Sequence, residues 1–279
     1  MTRGERLARL REERFDVLVV GGGITGAGVA RDAAMRGLKT ALVERDDFAS
    51  GTSSRSSRLV HGGVRYLEHG HLHLVFESSR ERRTLLRIAP HLVRPLRFTW
   101  PVYQGARVPL WKLGVGLFMY DALAVFRNVQ GHRLLTSEEV SGEEPALSRE
   151  NLVGGASYYD ASTDDTRLTL ANVIAAEESG AVVVNHAAVV GVIREGERIV
   201  GAVVREEGDE AQLSVRARVI VNATGPWTDA VRAMDGDAQA NAVRATKGVH
   251  IAVPRERLAT HAALTLLSPT DGRVMFALP

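Results

Sequence analysis

The feature that most constrains this chain is a glycine-rich segment between two apolar runs near its N-terminus. Residues 15–44 read FDVLVVGGGITGAGVARDAAMRGLKTALVE. An apolar run precedes the glycines, a helical pattern follows them, and a second apolar run ends on Glu44. This order of strand, glycine turn, helix, strand and acid is typical of the dinucleotide-binding βαβ unit, whose strands are parallel. A glycine-rich turn of another α/β protein is the alternative, but it does not explain the second strand and the acid.

Each residue type in the segment has a physical role. Gly21 permits a tight turn, Gly23 lets the backbone approach a pyrophosphate, and Gly26 lets the helix pack closely on the strand. The free amides and the dipole at the start of the helix favour the phosphate charge. The carboxylate of Glu44 is placed to accept hydrogen bonds from a ribose hydroxyl, and it disfavours the 2′-phosphate of NADP. The predicted cofactor-binding residues here are Gly21, Gly23, Ile24, Thr25, Gly26, Glu44 and Arg45.

Composition narrows the class of protein. The chain has 279 residues, of which 45% are hydrophobic and 24% charged, as expected of a globular protein of about two domains. Its 35 basic and 33 acidic residues nearly balance, so no nucleic-acid partner is indicated. The absence of cysteine excludes disulfides, Cys₄ zinc sites, iron–sulfur clusters and a cysteinyl flavin link. Residues 1–14 are too charged for a signal peptide and no apolar run reaches about 18 residues, which predicts a cytoplasmic protein.

A second motif supports a cofactor other than NAD. Residues 219–225 read VIVNATG, a strand that ends in a turn before a helical pattern over 226–234. Alone, such a strand and turn is as easily structural as functional. Flavoproteins that carry the glycine motif above also carry this one, so the pair favours FAD, with Ala223, Thr224 and Gly225 near the ligand.

A third segment combines hydroxyl groups, arginines and a histidine. Residues 52–66 read TSSRSSRLVHGGVRY and directly follow the strand that ends in the acid. A solvated basic loop is the plain interpretation. The position beside the cofactor favours another one, because Gly62 and Gly63 allow close backbone approach and Arg65 offers a planar donor pair for phosphate or carboxylate. His61 could face the flavin ring or a substrate oxygen.

Six motifs in this order identify a family resemblance. GGGITGAGVARDAAMRGL, TSSRSSRLVHGGVRYLEHG, GLFMYDALA, DDTRLTLANV, VNATGPW and KGVHIAVP closely resemble the FAD-dependent glycerol-3-phosphate dehydrogenases and span most of the chain. The resemblance implies that sn-glycerol 3-phosphate is oxidised to dihydroxyacetone phosphate by hydride transfer to FAD. It also implies that the electrons pass to a membrane quinone.

Further site residues follow from the resemblance. Ser53, Ser54, Ser57 and His61 would lie along the flavin, and the backbone of Val189 would touch adenine. Arg65 and Tyr66 match residues that meet the phosphate end of the substrate. The cofactor-binding set is thereby extended with Thr52, Ser53, Ser54, Ser57, Leu59, His61, Val189, Ala223, Thr224 and Gly225.

Hydride transfer from an alcohol also requires a base for the hydroxyl proton. His61 and His250 are the candidates, neither with a decisive signal, and Lys247 could stabilise negative charge near the flavin. No metal site is expected, because His69, His71 and His73 would diverge at the start of a helix. The predicted catalytic residues are His61, Arg65 and His250, and the predicted substrate-binding residues are Arg65, Tyr66 and Lys247.

The predicted fold is a mixed α/β Rossmann-like FAD-binding domain of the glutathione-reductase and D-amino-acid-oxidase type, interleaved with an incomplete substrate domain. Family members extend well beyond position 279, so a fragment of a longer protein is expected. The predicted parts are a charged N-terminal helix (1–14), FAD-binding segments (15–88 and 156–235, the latter with a β meander) and substrate-domain segments (89–155 and 236–279).

Several local interpretations accompany this prediction. Residues 212–216 and 219–223 read as two separate strands, and further strands are expected around 243–253 and 273–278. Arg80–Arg83 reads as a solvated helix face. The apolar stretch 109–126 predicts either a buried core helix or one that dips into a membrane surface.

The expected partners are sn-glycerol 3-phosphate and membrane quinone, with peripheral association on the inner face of the cytoplasmic membrane. A homo-oligomer is compatible with the sequence. Two alternatives stay open. One is an amino-acid or 2-hydroxy-acid oxidase of the same superfamily, since Arg65 would serve a carboxylate as well as a phosphate. The other is a non-catalytic FAD-binding fragment.

Overall fold

The structure is a computed structural model that describes residues 1–208, 211–236, 242–246, 248–268 and 270–279, without the side chains of Arg65, Glu68 and His69. The chain divides into two compact units. Unit 1 comprises Met1–Ser57 and Asp164–Val249, and unit 2 comprises Arg58–Thr163 and His250–Pro279. The units change at 57/58 and 163/164, whereas the predicted boundaries fall at 88/89 and 155/156; the predicted assignment of these parts to cofactor and substrate stays a prediction.

The described residues contain helices and strands in alternation, with short 3₁₀ turns at Thr52–Ser54, Val64–His69, Gly225–Trp227 and Arg255–Arg257. The helices are α1 (Arg3–Glu12), α2 (Ile24–Met35), α3 (Leu72–Ile88), α4 (Leu110–Leu123), α5 (Ser137–Glu143), α6 (Asp165–Glu178) and α7 (Thr228–Ala233). The strands are β1 (Arg14–Val20), β2 (Thr40–Val43), β3 (Leu59–Val60), β4 (Val93–Tyr103), β5 (Arg133–Thr136), β6 (Leu152–Thr163), β7 (Val182–Val184), β8 (Ala187–Glu195), β9 (Arg198–Glu206), β10 (Gln212–Asn222), β11 (Ala263–Leu267) and β12 (Val274–Ala277).

Unit 1 contains a six-stranded sheet in the order β7-β2-β1-β10-β9-β8. The first four strands are parallel, and β9 and β8 continue the sheet antiparallel as a meander. Helices α2 and α6 pack against each other, and Ala27 and Ala30 of α2 are fully buried in a cluster with Val19 and Leu42 of the sheet. Small alanine side chains let the helix axis approach the strands, which places the start of α2 beside the end of β1.

Strand β10 corrects one sequence prediction. The two runs predicted as separate strands form a single strand from Gln212 to Asn222. Its first part pairs antiparallel with β9, and its second part pairs parallel with β1, from Arg14↔Arg216 to Val20↔Asn222. The expected break falls just after Arg216, which pairs with Gly201 of β9 on one side and with Arg14 of β1 on the other.

Unit 2 contains a second sheet in the order β12-β11-β4-β6-β3, with β5 also paired to β6. Strands β4 and β6 form a long antiparallel pair, on which Phe98 and Tyr158 stack with ring centroids 5.2 Å apart. Helices α3 and α4 pack together in the same unit, and Tyr120 of α4 meets Tyr158 edge to face at 6.2 Å. An aromatic core therefore joins this sheet to its helices.

Two further sequence predictions differ from the structure. The described residues between 243 and 253 form no strand, whereas β12 confirms the strand expected around 273–278. The interpretation of Arg80–Arg83 as a solvated face is wrong for Arg82, which is buried in α3 with 3% exposure. Within the described part of the chain, every helix is too short or too polar to cross a bilayer.

Candidate functional site

A cleft in unit 1 lies where parallel strands end side by side. The chain leaves β1 at Gly21, β2 at Glu44 and β10 at Ala223, and the carboxyl ends of parallel strands share one edge of a sheet. The cleft has a volume of about 350 Å³. Its lining includes the predicted residues Gly21, Gly23, Ile24, Thr25, Glu44, Arg45, Thr52, Ser53, Val189, Ala223, Thr224 and Gly225.

The glycine turn is close-packed because three backbone segments meet there. Gly21 has a φ of +106°, which L side chains rarely adopt, and a Cβ on it would lie 2.7 Å from the carbonyl oxygen of Ala223. A Cβ on Gly26 would overlap the carbonyl oxygen of Gly21. The amide of Ala223 donates to the carbonyl of Val20 at 2.8 Å. The first and second sequence motifs are therefore in direct contact.

Glu44 is held by main-chain donors at the floor of the cleft. Its Oε2 accepts the amide of Gly22 at 2.6 Å, and its Oε1 accepts the amide of Asp46 at 2.9 Å. A carboxylate has about four acceptor sites, so capacity for further donors remains on both oxygens. The orientation of this carboxylate is fixed in the way that a ribose-binding acid requires.

The start of α2 carries a hydroxyl group. The Oγ of Ser53 accepts the amide of Ile24 at 2.9 Å, which leaves the hydroxyl hydrogen of Ser53 as a donor at a helix N-terminus. Such a position favours an anion. Ser54 instead donates to the carbonyl of Gly51 at 3.2 Å. Neither Ser54 nor Ser57 belongs to the described cleft lining, and Gly26 lies behind the turn.

Arg45 and Trp227 form a wall of the cleft that sequence reasoning only partly identified. The guanidinium carbon of Arg45 lies 4.2 Å from the Trp227 ring centroid, a cation–π contact. Trp227 follows the VNATG motif and could have been proposed from the longer VNATGPW string. Other lining residues that the sequence prediction did not include are Val20, Val43, Asp46, Ser50, Gly51, Ala187, Pro226, Ala230, Val231 and Met234.

Taken by chemistry, this cleft fits the ADP half of a dinucleotide. A fixed carboxylate, a helix start and a glycine turn with no room for side chains stand around one space of suitable size. The backbone at Gly21 and Gly23 is open to the cleft because no Cβ covers it. These observations concern only unit 1 and do not depend on any family assignment.

Unit 2 contains a second, aromatic cavity of about 420 Å³. Of the predicted site residues it brings together Leu59, His61 and Tyr66, and it adds His71, which sequence reasoning weighed only as a metal ligand. His61 is exposed. The remaining lining residues are Gly63, Val64, Phe98, Trp100, Tyr158, Asp160, Thr265, Val274 and Phe276.

The other predicted residues of unit 2 are placed less fully. The backbone of Arg65 lies in the 3₁₀ turn Val64–His69, but its side chain lies outside the described part, and Lys247 also lies outside the described residues. His250 lies in an exposed segment without regular structure and is not part of the described cavity lining. Of the two candidate bases, His61 lines the described unit-2 cavity and His250 does not.

A buried phenol forms part of the wall of this cavity. Tyr158 is 4% exposed, and its hydroxyl lies 3.1 Å from that of Thr265. Burial, and after it the nearby carboxylate of Asp160, raises the pKa of the Tyr158 phenol far above its ordinary value. Tyr158 is therefore a neutral group that hydrogen-bonds within the wall.

Comparisons with known proteins agree with this geometry. The profile of the family described as FAD dependent oxidoreductase matches residues 16–279. The chain is 45% identical over 275 residues to "Glycerol-3-phosphate dehydrogenase 2" of Mycobacterium bovis, covering 97% of this chain and 46% of that protein. It is 42% identical over 286 residues to "Alpha-glycerophosphate oxidase" of Enterococcus casseliflavus, covering 99% and 46% respectively.

A solved structure shows the same architecture. The X-ray structure of the glycerol-3-phosphate dehydrogenase from Bacillus halodurans complexed with FAD superposes with a TM-score of 0.77 at 33% identity, covering 99% of this chain and 47% of that one. The chain thus spans about half the length of the relatives it matches. The predicted mixed α/β fold of the FAD-binding type and the predicted resemblance are confirmed, and FAD is confirmed as the cofactor of the family.

Proposed function

Because the chain belongs to the FAD dependent oxidoreductase family, we propose that its unit-1 cleft binds FAD and that the protein oxidises sn-glycerol 3-phosphate to dihydroxyacetone phosphate. The observation that carries this proposal is the meeting of Gly21, Glu44 and Ala223 around one cleft. Similarity to proteins named glycerol-3-phosphate dehydrogenase and alpha-glycerophosphate oxidase supports the substrate.

In this proposal the residues of unit 1 bind and orient the cofactor. Glu44 accepts the ribose hydroxyls on its remaining lone pairs, while the amides around Gly23 and the hydroxyl of Ser53 receive the pyrophosphate. Val189 and the segment Ala223–Gly225 also line the cleft, where the backbone of Val189 would contact the adenine and Ala223–Gly225 would lie near the pyrophosphate. FAD, when bound, supplies the acceptor for a hydride.

The residues of unit 2 would receive the substrate. Oxidation of the alcohol breaks two bonds. The hydrogen of the C2–H bond leaves as a hydride, and the proton of the O–H bond must go to a base. We assign that proton to an imidazole nitrogen of His61, since His61 lines the cavity together with Tyr66. Arg65 and Tyr66 are proposed to meet the phosphate end of the substrate and Lys247 to stabilise negative charge near the flavin, with His250 as the alternative base.

Anaerobic reduction of the flavin tests this function. The protein is reconstituted with FAD, sn-glycerol 3-phosphate is added without oxygen, and the flavin absorbance is followed. Bleaching by this substrate, but not by glycerol, amino acids or 2-hydroxy acids, is expected. Bleaching by amino acids or 2-hydroxy acids instead would favour an oxidase of the same superfamily, and bound flavin that no substrate reduces would favour a non-catalytic FAD-binding protein.

We further propose that the reduced protein passes electrons to a membrane quinone while lying on the inner, cytoplasmic face of the membrane. Helix α4 supports this, because Trp111, Val115 and Phe118 are 71%, 53% and 57% exposed while other residues of the helix are buried. Exposed aromatic and aliphatic side chains on one helix suit insertion into the headgroup region of a bilayer.

Vesicle binding and reoxidation test this second part. Trp111→Ser combined with Phe118→Ser should reduce co-sedimentation with anionic phospholipid vesicles, whereas Ile251→Ser, at another exposed apolar side chain, should not. Equal loss in both variants would contradict docking through α4. Faster reoxidation of the reduced flavin by a soluble quinone than by oxygen would support the quinone as acceptor, and the reverse would support an oxidase. Light scattering shows separately whether the protein is a homo-oligomer.

A further inference from the structure

Beside the unit-2 cavity, and reaching its wall at Asp160, lies a buried polar group that the proposed chemistry does not use. Arg82 of α3, Tyr120 of α4 and Asp160 of β6 are 3%, 0% and 3% exposed. Arg82 pairs with the carboxylate of Asp160 and donates to the hydroxyl of Tyr120 at 2.6 Å. The hydroxyl of Tyr120 in turn donates to the same carboxylate at 2.6 Å.

The protonation state of Tyr120 fixes the direction of these bonds. Burial, and after it the carboxylate of Asp160, raises the pKa of the Tyr120 phenol well above its ordinary value. The phenol therefore keeps its hydrogen and can give it only to Asp160. Its oxygen lone pairs remain for donors, of which Arg82 is one.

The second donor is the backbone of the loop that carries His61. The amide of Gly62 lies 2.9 Å from the hydroxyl oxygen of Tyr120 and 3.0 Å from Oδ1 of Asp160, so it donates to both. Gly62 is buried although the neighbouring His61 is exposed. The amide next to His61 is therefore bound by a charged group within the core.

The two glycines of the HGG sequence are required by side chains of this unit. A Cβ on Gly62 would overlap the hydroxyl oxygen of Tyr120. Gly63 has a φ of +75°, and a Cβ on it would overlap the ring of Tyr66. The turn is thus held between Tyr120 on one side and Tyr66 on the other. Close approach, which the sequence suggested toward a ligand, is realised toward the protein's own aromatic rings.

A buried ion pair is a costly way to stabilise a core, because apolar residues of similar volume often serve as well. An anchor for a backbone amide does need a fixed acceptor, and Asp160 is fixed by two donors from different helices. We propose that Arg82, Tyr120 and Asp160 are positioning residues that hold the Gly62 amide and thereby orient His61 and Tyr66 toward the substrate. This inference rests on the proposed function, since it assumes that these two residues meet sn-glycerol 3-phosphate.

Amide exchange in the FAD-reconstituted protein tests the anchor. Asp160→Asn and Tyr120→Phe should each speed hydrogen exchange of the Gly62 amide by about tenfold or more, as expected when a hydrogen bond to a charged group is weakened. Tyr120→Phe serves if Asp160→Asn fails to fold, because it leaves the Arg82–Asp160 pair in place. Tyr158→Phe is the matched control, since it also removes a buried phenol hydroxyl but does not touch Gly62 in the structure, and it should leave this exchange unchanged.

Flavin reduction kinetics test the functional part. Both variants should lower the limiting rate of flavin reduction by about tenfold or more. The dissociation constant for FAD should change by less than this, because the unit-1 residues proposed to bind the ADP half are untouched. Glu144→Gln is the control for an effect of lost stability alone. It replaces another fully buried carboxylate of unit 2, which caps the amides of His261 and Ala262 at 2.9 and 2.8 Å, and it should keep the wild-type limiting rate.

The outcomes distinguish failure of the proposed function from failure of the proposed positioning role. If sn-glycerol 3-phosphate does not reduce the wild-type holoprotein, the proposed function fails, and with it the role in catalysis. If it does, and the Gly62 amide of both variants exchanges as in the wild type, the anchor is overturned. A limiting rate that falls equally in Glu144→Gln would likewise overturn positioning, because loss of stability alone would then suffice.

Discussion

The two candidate sites of this chain are built in opposite ways. The unit-1 cleft uses main-chain groups: strand ends, a glycine turn and amides that bind Glu44 at 2.6 and 2.9 Å. The unit-2 cavity is lined by side chains, and the buried group beside it brings together Arg82, Tyr120 and Asp160 from α3, α4 and β6. The residues of the unit-1 cleft come from short sequence motifs, whereas those of the unit-2 site come together through contacts between distant segments.

This difference predicts how each site responds to substitution. A main-chain site fails when a side chain is added where none fits, so its sensitive positions are glycines. A side-chain site fails when a partner is removed and leaves a buried charge behind. Substitutions in each unit, each paired with a matched control, test this contrast.

The largest effect is expected for Arg82→Met in unit 2. The change leaves the carboxylate of Asp160 buried without its cation, which costs about 3–5 kcal/mol of unfolding free energy. Urea unfolding followed by tryptophan fluorescence measures it. Arg80→Met on the same helix is the control, because the Arg80 side chain is 73% exposed, and it should change stability by less than about 0.5 kcal/mol. Similar effects of the two changes would show that the buried pair is not the reason.

The next effect is expected for Gly26→Ala in unit 1. A Cβ here would overlap the carbonyl oxygen of Gly21, so backbone must shift, at a cost of about 1–3 kcal/mol in unfolding free energy. Gly28→Ala is the control two residues along the same helix. Nothing lies within 4 Å of a Cβ at Gly28, and alanine should stabilise the helix by up to about 1 kcal/mol. Opposite signs are expected at 26 and 28, and equal signs would contradict the close-packing account.

A pH effect should appear next, in unit 2. Burial, followed by Asp160, raises the pKa of Tyr158 in the folded protein, whereas the unfolded chain ionises near pH 10. The folded state then holds more protons above that pH, so this contribution to stability is complete below about pH 10 and falls as pH rises, by about 1.4 kcal/mol per pH unit. Tyr158→Phe should therefore lose less unfolding free energy than the wild type between about pH 9 and about pH 11. Parallel pH profiles would contradict this.

The smallest effect is expected for Glu44→Gln in unit 1. Glutamine keeps one carbonyl oxygen for a ribose hydroxyl or a main-chain amide but loses the charge, so FAD affinity should weaken about three- to tenfold. Flavin fluorescence titration measures the dissociation constant. Asp32→Asn, an exposed carboxylate of α2 that pairs with Arg36, is the control and should leave the affinity unchanged. An unchanged affinity in Glu44→Gln would remove this carboxylate from the proposed cofactor site.

Much of unit 1 could be predicted from sequence because its signals are local. The strand, turn and helix from Arg14 to Met35 and the strand ending at Val43 follow the predicted order closely. Their residue types fix backbone geometry directly, since only glycine fits where Gly21 and Gly26 lie. The break predicted within β10 was wrong because a change of strand partner leaves the backbone extended.

Much of unit 2 could not be predicted in this way. The run Arg80–Arg83 gives no sign that one arginine points inward, because helical periodicity alone does not say which face meets another element. Strands β3, β5 and β11 are short, and they exist because β4 and β6 offer edges for pairing. His71 likewise joined the cavity only through the turn before α3.

Sequence was enough to identify the dinucleotide-binding turn, the acid that follows it and the family resemblance, since glycine, apolar and acidic residues at fixed spacing specify local backbone shape. Only the packing of the folded chain shows that Arg82 and Asp160 are partners and that the Gly62 amide donates to the hydroxyl oxygen of Tyr120. The physical reason is that a buried charge is tolerated only where partners from distant segments surround it. The packing of α3, α4 and β6 meets that condition, and it cannot be predicted from any short stretch of residues.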